Sequence, residues 1–162
     1  MCIRDRPYRA VFSQQVTRET VVRLIDSLVV LLVRLHLLGF YWGDVSLSNT
    51  LFRRDADAFS AYLVDAETGD LQGTLSDSRR LYDVDVAHTN IIGELMDLQA
   101  GGFLDPELDV IAVGRRIIER YEDLWQELTG EESIGVEEPW LVDERIRRLN
   151  DLGFDVGELK VT

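Results

Sequence analysis

The sequence predicts a mostly helical α+β fold in which a small hairpin carries the polar loops. Three observations lead there. Apolar residues recur at three- and four-residue steps over 18–38, 84–99 and 106–128, the period of a helix with one buried face. Two short β-type runs stand between the first two of these stretches, separated by loops rich in Gly, Asp, Ser and Asn. With 162 residues, 46% of them hydrophobic and 29% charged, the chain has the size and balance of one globular domain.

Thr17 is the expected N-cap of the first helix, because its hydroxyl can accept from an orphan amide of the first turn. From Arg18 to Leu38 the residues Val21, Leu24, Ile25, Leu28, Leu31, Leu32 and Leu35 mark one face. Val22, Val29, Val30 and Val33 make the helix apolar nearly all round, so it belongs in the core. Gly39 ends it. The run FYWGDVSLSNTLFRR, dense in Gly, Asp, Ser and Asn, reads as a loop, with Thr50–Arg53 as a short strand, Arg54–Phe59 as a connection and Ala61–Val64 as a second strand. Asp65–Asp70 is another polar loop, and Leu71–Leu81 reads as irregular. A helix over Val84–Gln99 places Val84, Ala87, Ile91, Leu95 and Leu98 on one face. The next runs from Pro106 to Leu128, with Ile111, Ile117, Ile118, Tyr121, Leu124, Trp125 and Leu128, and stops at Gly130. Residues 131–137 are an acidic linker, and a last helix spans Glu138–Leu152.

Several function classes fall away on composition. One cysteine, Cys2, and two histidines, His36 and His88, leave no disulfide framework and no structural zinc centre. The net charge is −13, from 17 basic and 30 acidic residues. It argues against nucleic acid as a partner. Charge is uneven, +4 over residues 1–54 and −17 over 55–162. The longest apolar stretch, Leu28–Val33, is too short for a membrane span. With no hydrophobic leader either, the expected location is cytoplasmic. The first residues, MCIRDR, read like translated adapter sequence. Residues 1–6 are therefore set aside as a non-native leader, and the chain is expected to be a fragment.

Three polar clusters have the composition of a reaction site: Gly43-Asp44, Ser48-Asn49, and Asp65 with Glu67. Asp44 to Asn49 is D-x-x-x-x-N, after a buried helix and before a hairpin, and Asp65 follows the second strand. Phosphoryl transfer asks for such parts in this order. One carboxylate accepts the proton of an attacking hydroxyl. An amide oxygen and a second carboxylate suit Mg²⁺, which takes hard oxygen donors and keeps several waters. The structural alternative is that Asp44 and Asn49 cap turns.

GDVSLSNTLF resembles the catalytic loop of the protein kinase-like superfamily, in the form found in small-molecule kinases, and LVDAETG resembles its metal-binding loop. The longer runs WGDVSLSNTLFRRDADAFSAYLVDAETGDL and YDVDVAHTNIIGELMDLQAGG are similar to the bacterial domain-of-unknown-function 4032 family, described as lipopolysaccharide kinase-like. The resemblance covers 16 to about 155, most specifically Trp42–Gly69. It implies the C-terminal lobe of a protein kinase-like fold over residues 7–130, with 131–162 as an appended helical segment. It also implies ATP and Mg²⁺ as cofactors and a hydroxyl-bearing acceptor such as a sugar or lipid head group. Asp44 would be the catalytic base, Asn49 and Asp65 the metal and nucleotide ligands, and Glu67 a further metal contact. The chain departs from the pattern in two places: Trp42 stands where the loop motif has histidine, and the metal loop reads Asp-Ala-Glu. No glycine-rich loop or lysine precedes the first helix, and Lys160 is the only lysine. The expectation is a kinase-like lobe that transfers no phosphate by itself. The alternative is a non-catalytic kinase-like regulatory or nucleotide-binding module.

The other conspicuous residues have plainer readings. His36 is expected as a core or capping histidine and His88 as a surface or interhelical one. Tyr121, Trp125 and Leu128 are expected in the core, and Arg115, Arg116, Arg145, Arg147 and Arg148 on solvated helix faces. The Tyr82–Asp85 cluster reads as a helix N-terminal cap, or as the counterpart of the kinase fold's C-lobe aspartate.

Overall fold

Helix α1, Arg18–Leu37, is the centre of the core. In the computed structural model, which describes residues 5–7, 16–55, 58–63, 69–72 and 74–130, Val21, Leu24, Leu28, Val29, Leu32 and Val33 have no exposed surface. Burying each such side chain contributes about 1.5–3 kcal/mol before ordering costs. Thr17 caps the helix as expected, its hydroxyl accepting from the Thr20 amide at 3.3 Å. Gly39 follows the C-cap Leu38 and donates to the His36 carbonyl at 3.0 Å.

The β structure is more extended than the sequence suggests. Strand β1, Asp5–Pro7, pairs antiparallel with β3, Thr50–Asp55, which pairs with β4, Ala58–Leu63. Two of the residues set aside as a leader, Asp5 and Arg6, lie in β1. Within the expected Arg54–Phe59 connection, β3 continues to Asp55 and β4 begins at Ala58. Helix α1 packs against β4, and the cross-strand partners Phe52 and Ala61 are both buried. A second, two-stranded sheet joins β2, Phe40–Tyr41, to β5, Asp70–Leu71, in the register Phe40↔Leu71 and Tyr41↔Asp70.

Helix α2, Asp77–Ala100, begins seven residues before the expected Val84. Ser76 is its N-cap, accepting from the Arg79 amide at 3.3 Å. The reason is chemical: in its first two turns the core-facing positions are Arg80 and Asp83, both buried, so the apolar period starts late. Asp83 is therefore an interior residue of the helix, and not its N-terminal cap. Helix α3, Val110–Thr129, begins later than Pro106. Asp105 holds Pro106–Leu108 in a separate turn, accepting from the Glu107 and Leu108 amides. Asp109 then caps α3 through the Ala112 amide at 3.0 Å. Its buried face is Val110, Val113, Gly114, Ile117, Tyr121 and Leu124, while Ile111 and Ile118 of the same apolar set are exposed.

The chain divides into two compact units, Met1–Leu124 and Trp125–Thr162. The residues of the candidate site that the structure describes belong to the first. In the second, the described residues are the end of α3, where the Thr129 hydroxyl donates to the Trp125 carbonyl at 2.7 Å. Trp125 and Leu128 are half-buried there. The helix expected over 138–152 lies outside the described residues, and so do Arg145, Arg147 and Arg148. No helix among the described residues is long and apolar enough to cross a membrane.

Candidate functional site

The loop between β2 and β3 alternates anchors and exposed polar groups. Trp42, Val45 and Leu47 have no exposed surface, whereas Asp44 and Ser48 are exposed. Gly43 has φ 86°, a left-handed backbone that a side chain would strain. That conformation lets two successive amides reach one carboxylate: Trp42 N donates to Asp83 Oδ2 and Gly43 N to Asp83 Oδ1, each at 2.8 Å.

A third donor completes the Asp83 carboxylate, the His36 Nε2 at 2.9 Å. The other ring nitrogen of His36 lies 2.6 Å from the Tyr121 hydroxyl. Burial pushes the Tyr121 phenol well above its ordinary pKa, against the opposing pull of Arg80. A protonated phenol can donate to Nδ1 while Nε2–H donates to Asp83, so a neutral imidazole satisfies both partners. One residue from each of α1, α2 and α3 meets here beneath the loop. His36 is thus a core histidine with a defined task.

Above this buried network, Asp44 and Asn49 adjoin. Asn49 Nδ2 donates to the Asp44 carbonyl at 3.0 Å and to Asp44 Oδ2 at 3.1 Å. On the other side, Asn90 Nδ2 lies 3.3 Å from Asp44 Oδ1 and 3.0 Å from the Val45 carbonyl. Glu94 takes the Leu47 amide at 2.8 Å and the Ser48 amide at 3.0 Å. Its pKa is raised: burial pushes it up most and the Asp44 charge adds to that, while the two amides oppose. The turn closes as the Asn49 amide donates to Ser46 Oγ at 3.2 Å and Thr50 Oγ1 to the Ser46 carbonyl at 2.7 Å.

Asp65 and Glu67 lie outside the described residues. Their flanks are described: Leu63 pairs with Thr50, beside Asn49, and Asp70 pairs with Tyr41, beside Trp42. Gly69 sits so close to Phe40 that a Cβ there would collide with the ring. Tyr41 has its phenol pKa raised, by burial first and then by Asp83 and Tyr82, with Arg79 opposing. The Arg79 guanidinium lies 5.0 Å from the Tyr41 ring centre.

Asn49 fits a hard cation in its donor chemistry. With Nδ2 donating twice to Asp44, its Oδ1 meets no donor among the described residues. Those residues contain no group of three or more His, Cys, Asp or Glu able to hold a metal.

Sequence reasoning missed Asn90, Glu94 and the polar partnership of His36 with Tyr121. The signal for the first two was present, since Asp83, Asn90 and Glu94 recur at intervals of about two and one helical turns on a helix otherwise apolar on that side. Arg116, expected on a solvated face, makes a bidentate pair with Asp26 at 3.1 and 2.9 Å. His88 is interhelical, its ring facing Gly114 of α3.

A family model described as Domain of unknown function (DUF4032) matches residues 123–162. The match lies downstream of Trp42–Gly69, the run on which the resemblance to that family was drawn. No curated protein matches the chain.

Proposed function

We propose that this chain carries the base-and-metal half of an ATP- and Mg²⁺-dependent phosphotransferase site. It would act in the cytoplasm on a hydroxyl acceptor such as a sugar or lipid head group. The observation that carries this reading is the Asp44–Asn49 pair, a carboxylate and an amide joined at 3.1 Å on one rigid loop. The order of described elements supports it: buried helix, polar loop, hairpin, then a helix whose buried Asp83 grips that loop. That is the plan of a kinase-like C-terminal lobe. The described strand residues on either side of 64–68, Leu63 and Asp70, pair with Thr50 and Tyr41.

In this reading Asp44 accepts the acceptor's hydroxyl proton as its oxygen bonds to the γ-phosphorus. The β–γ bridging bond breaks and its electron pair leaves with ADP. Asn49 and Asp65 would hold Mg²⁺, with Glu67 as a further contact, and the ion would neutralise phosphate charge. Asn49 also fixes the base through its two donated bonds.

A second reading, a non-catalytic kinase-like module that binds nucleotide or regulates a partner, is favoured by Trp42. Its side chain is buried where the motif has histidine, and the loop is held through backbone amides instead. Titrating Mg²⁺–ATP by calorimetry, beside a phosphate-transfer assay on a full-length parent that supplies the other half of the site, separates the two. For the enzyme, Asp44→Ala abolishes turnover and changes nucleotide affinity by no more than about twofold, because the base acts mainly in the transition state. Asp65→Ala weakens nucleotide binding roughly tenfold or more. Mg²⁺-dependent binding without turnover assigns the non-catalytic module. Absence of Mg²⁺-dependent nucleotide binding removes both.

A further inference from the structure

Helix α2 presents a row of three polar side chains to the loop, and each does something different. Asp83 accepts from the Trp42 and Gly43 amides and Glu94 from those of Leu47 and Ser48. These two hold the loop by its backbone amides, and Asp83 takes His36 as well. Asn90, between them, reaches a side chain: its Nδ2 donates to the Val45 carbonyl at 3.0 Å and to the Asp44 carboxylate at 3.3 Å. Holding the loop would need only the Val45 bond. The second N–H is aimed at a group that is otherwise exposed.

An exposed aspartate ordinarily samples its side-chain rotamers. Asp44 is gripped from both sides instead, Oδ2 by Asn49 and Oδ1 by Asn90. Two amides on opposite oxygens fix the plane of the carboxylate as well as its direction. Asn49 alone would leave that plane free to turn about a single contact. It is itself tethered to Asp44 within the same loop, whereas Asn90 stands on a helix that the core fixes.

We infer that Asn90 is a positioning residue that locks the Asp44 carboxylate into one orientation relative to α2. The inference rests on the reading of Asp44 as the proton acceptor, since a base is effective only when already aimed. It extends that reading by assigning the aiming to a residue outside the loop motif.

The test is made on the full chain by NMR, without reference to turnover. Three-bond couplings report the Asp44 χ1 rotamer, and the Asn90 carboxamide resonances report its own contacts. The wild-type protein should show one Asp44 rotamer. Asn90→Ala and Asn90→Asp should both convert these couplings to averaged values. The second variant keeps the size of the side chain, so averaging there reflects the donor replaced by a like charge and not a cavity. Exchange of the Leu47 and Ser48 amides, held by Glu94, should stay within about twofold in both. Asp44→Ala should in turn shift the Asn90 carboxamide resonances. An averaged Asp44 in the wild type overturns the inference, as does a single rotamer surviving in both Asn90 variants. Loss of Leu47 and Ser48 protection in both also overturns it, because Asn90 would then be a general support of the loop. A locked Asp44 released by Asn90→Ala, in a protein that binds no Mg²⁺–nucleotide, upholds the positioning and removes the phosphotransferase reading.

Discussion

A carboxylate with no exposed surface needs donors on every lone pair that faces the protein, and Asp83 has two backbone amides and an imidazole. Asparagine at this position would offer one acceptor oxygen and turn an NH₂ toward at least one of those donors. Asp83→Asn should therefore cost about 2–4 kcal/mol, read as a lower urea midpoint. Exchange at the Trp42 and Gly43 amides should accelerate. Unchanged exchange at both would mean the loop is held by its apolar anchors alone. Glu94 supplies a prediction with a sign. Its folded-state pKa lies above the ordinary carboxyl value, so between the two values the folded protein binds more protons than the unfolded one. Its contribution to stability is full below the unfolded value and is lost as pH rises through the folded one. Glutamine turns an NH₂ toward one of the two amides, where even a protonated carboxyl keeps an acceptor oxygen, so Glu94→Gln destabilises by about 1–2 kcal/mol at low pH. The gap between wild type and variant should narrow as pH rises from about 4 toward 7. A gap that widens over that range would contradict the raised pKa.

At the level of elements, α1 was legible almost to the residue, because its apolar period, its Thr17 cap and its closing Gly39 all agree. Helix α2 was legible only where it is apolar. Its first two turns point Arg80 and Asp83 inward, and polar residues at core positions interrupt the apolar period by which a helix is read. The same cause hid most of the site. Asp44 and Asn49 could be picked out by their spacing in one loop, whereas Asn90 and Glu94 reach that loop from a helix some 45 residues away, and His36 meets Asp83 and Tyr121 only in the folded chain. The β2–β5 pair was hidden because two-residue strands lie below the length at which alternation shows. That pair gives an element-scale prediction. A Cβ at Gly69 would strike the Phe40 ring, so Gly69→Ala should push Phe40 from its place and destabilise by about 1–3 kcal/mol. Amide exchange should accelerate at Tyr41 and Leu71 and leave α3 unaffected. Faster exchange spread evenly over the protein would show that the close approach supports more than this sheet.

Across the whole molecule, charge and proposed ligand are of the same sign. The chain carries −13, with +4 over residues 1–54 and −17 over 55–162, and a nucleotide is itself an anion. The proposed site adds Asp44, Asp65 and Glu67, and the only lysine is Lys160. Phosphates therefore have no lysine to meet before that position, and in the proposed reading their charge would be offset by the cation between them and the carboxylates. Two consequences follow for binding measured by calorimetry. Chelating divalent cations should reduce ATP affinity by more than about tenfold, a loss that Asp65→Ala should reproduce in part and Asp44→Ala should not. Salt should act in the opposite sense from a basic nucleotide pocket. Long-range repulsion between two anions is screened as ionic strength rises, with a Debye length of about 30 Å at 0.01 M falling to about 8 Å at 0.15 M. Affinity for Mg²⁺–ATP should accordingly rise a few-fold over that range, and its association rate with it. Affinity that falls with salt would place the phosphates on an arginine cluster rather than on a cation held by Asn49 and Asp65. Undiminished binding after chelation would remove the metal from the site altogether.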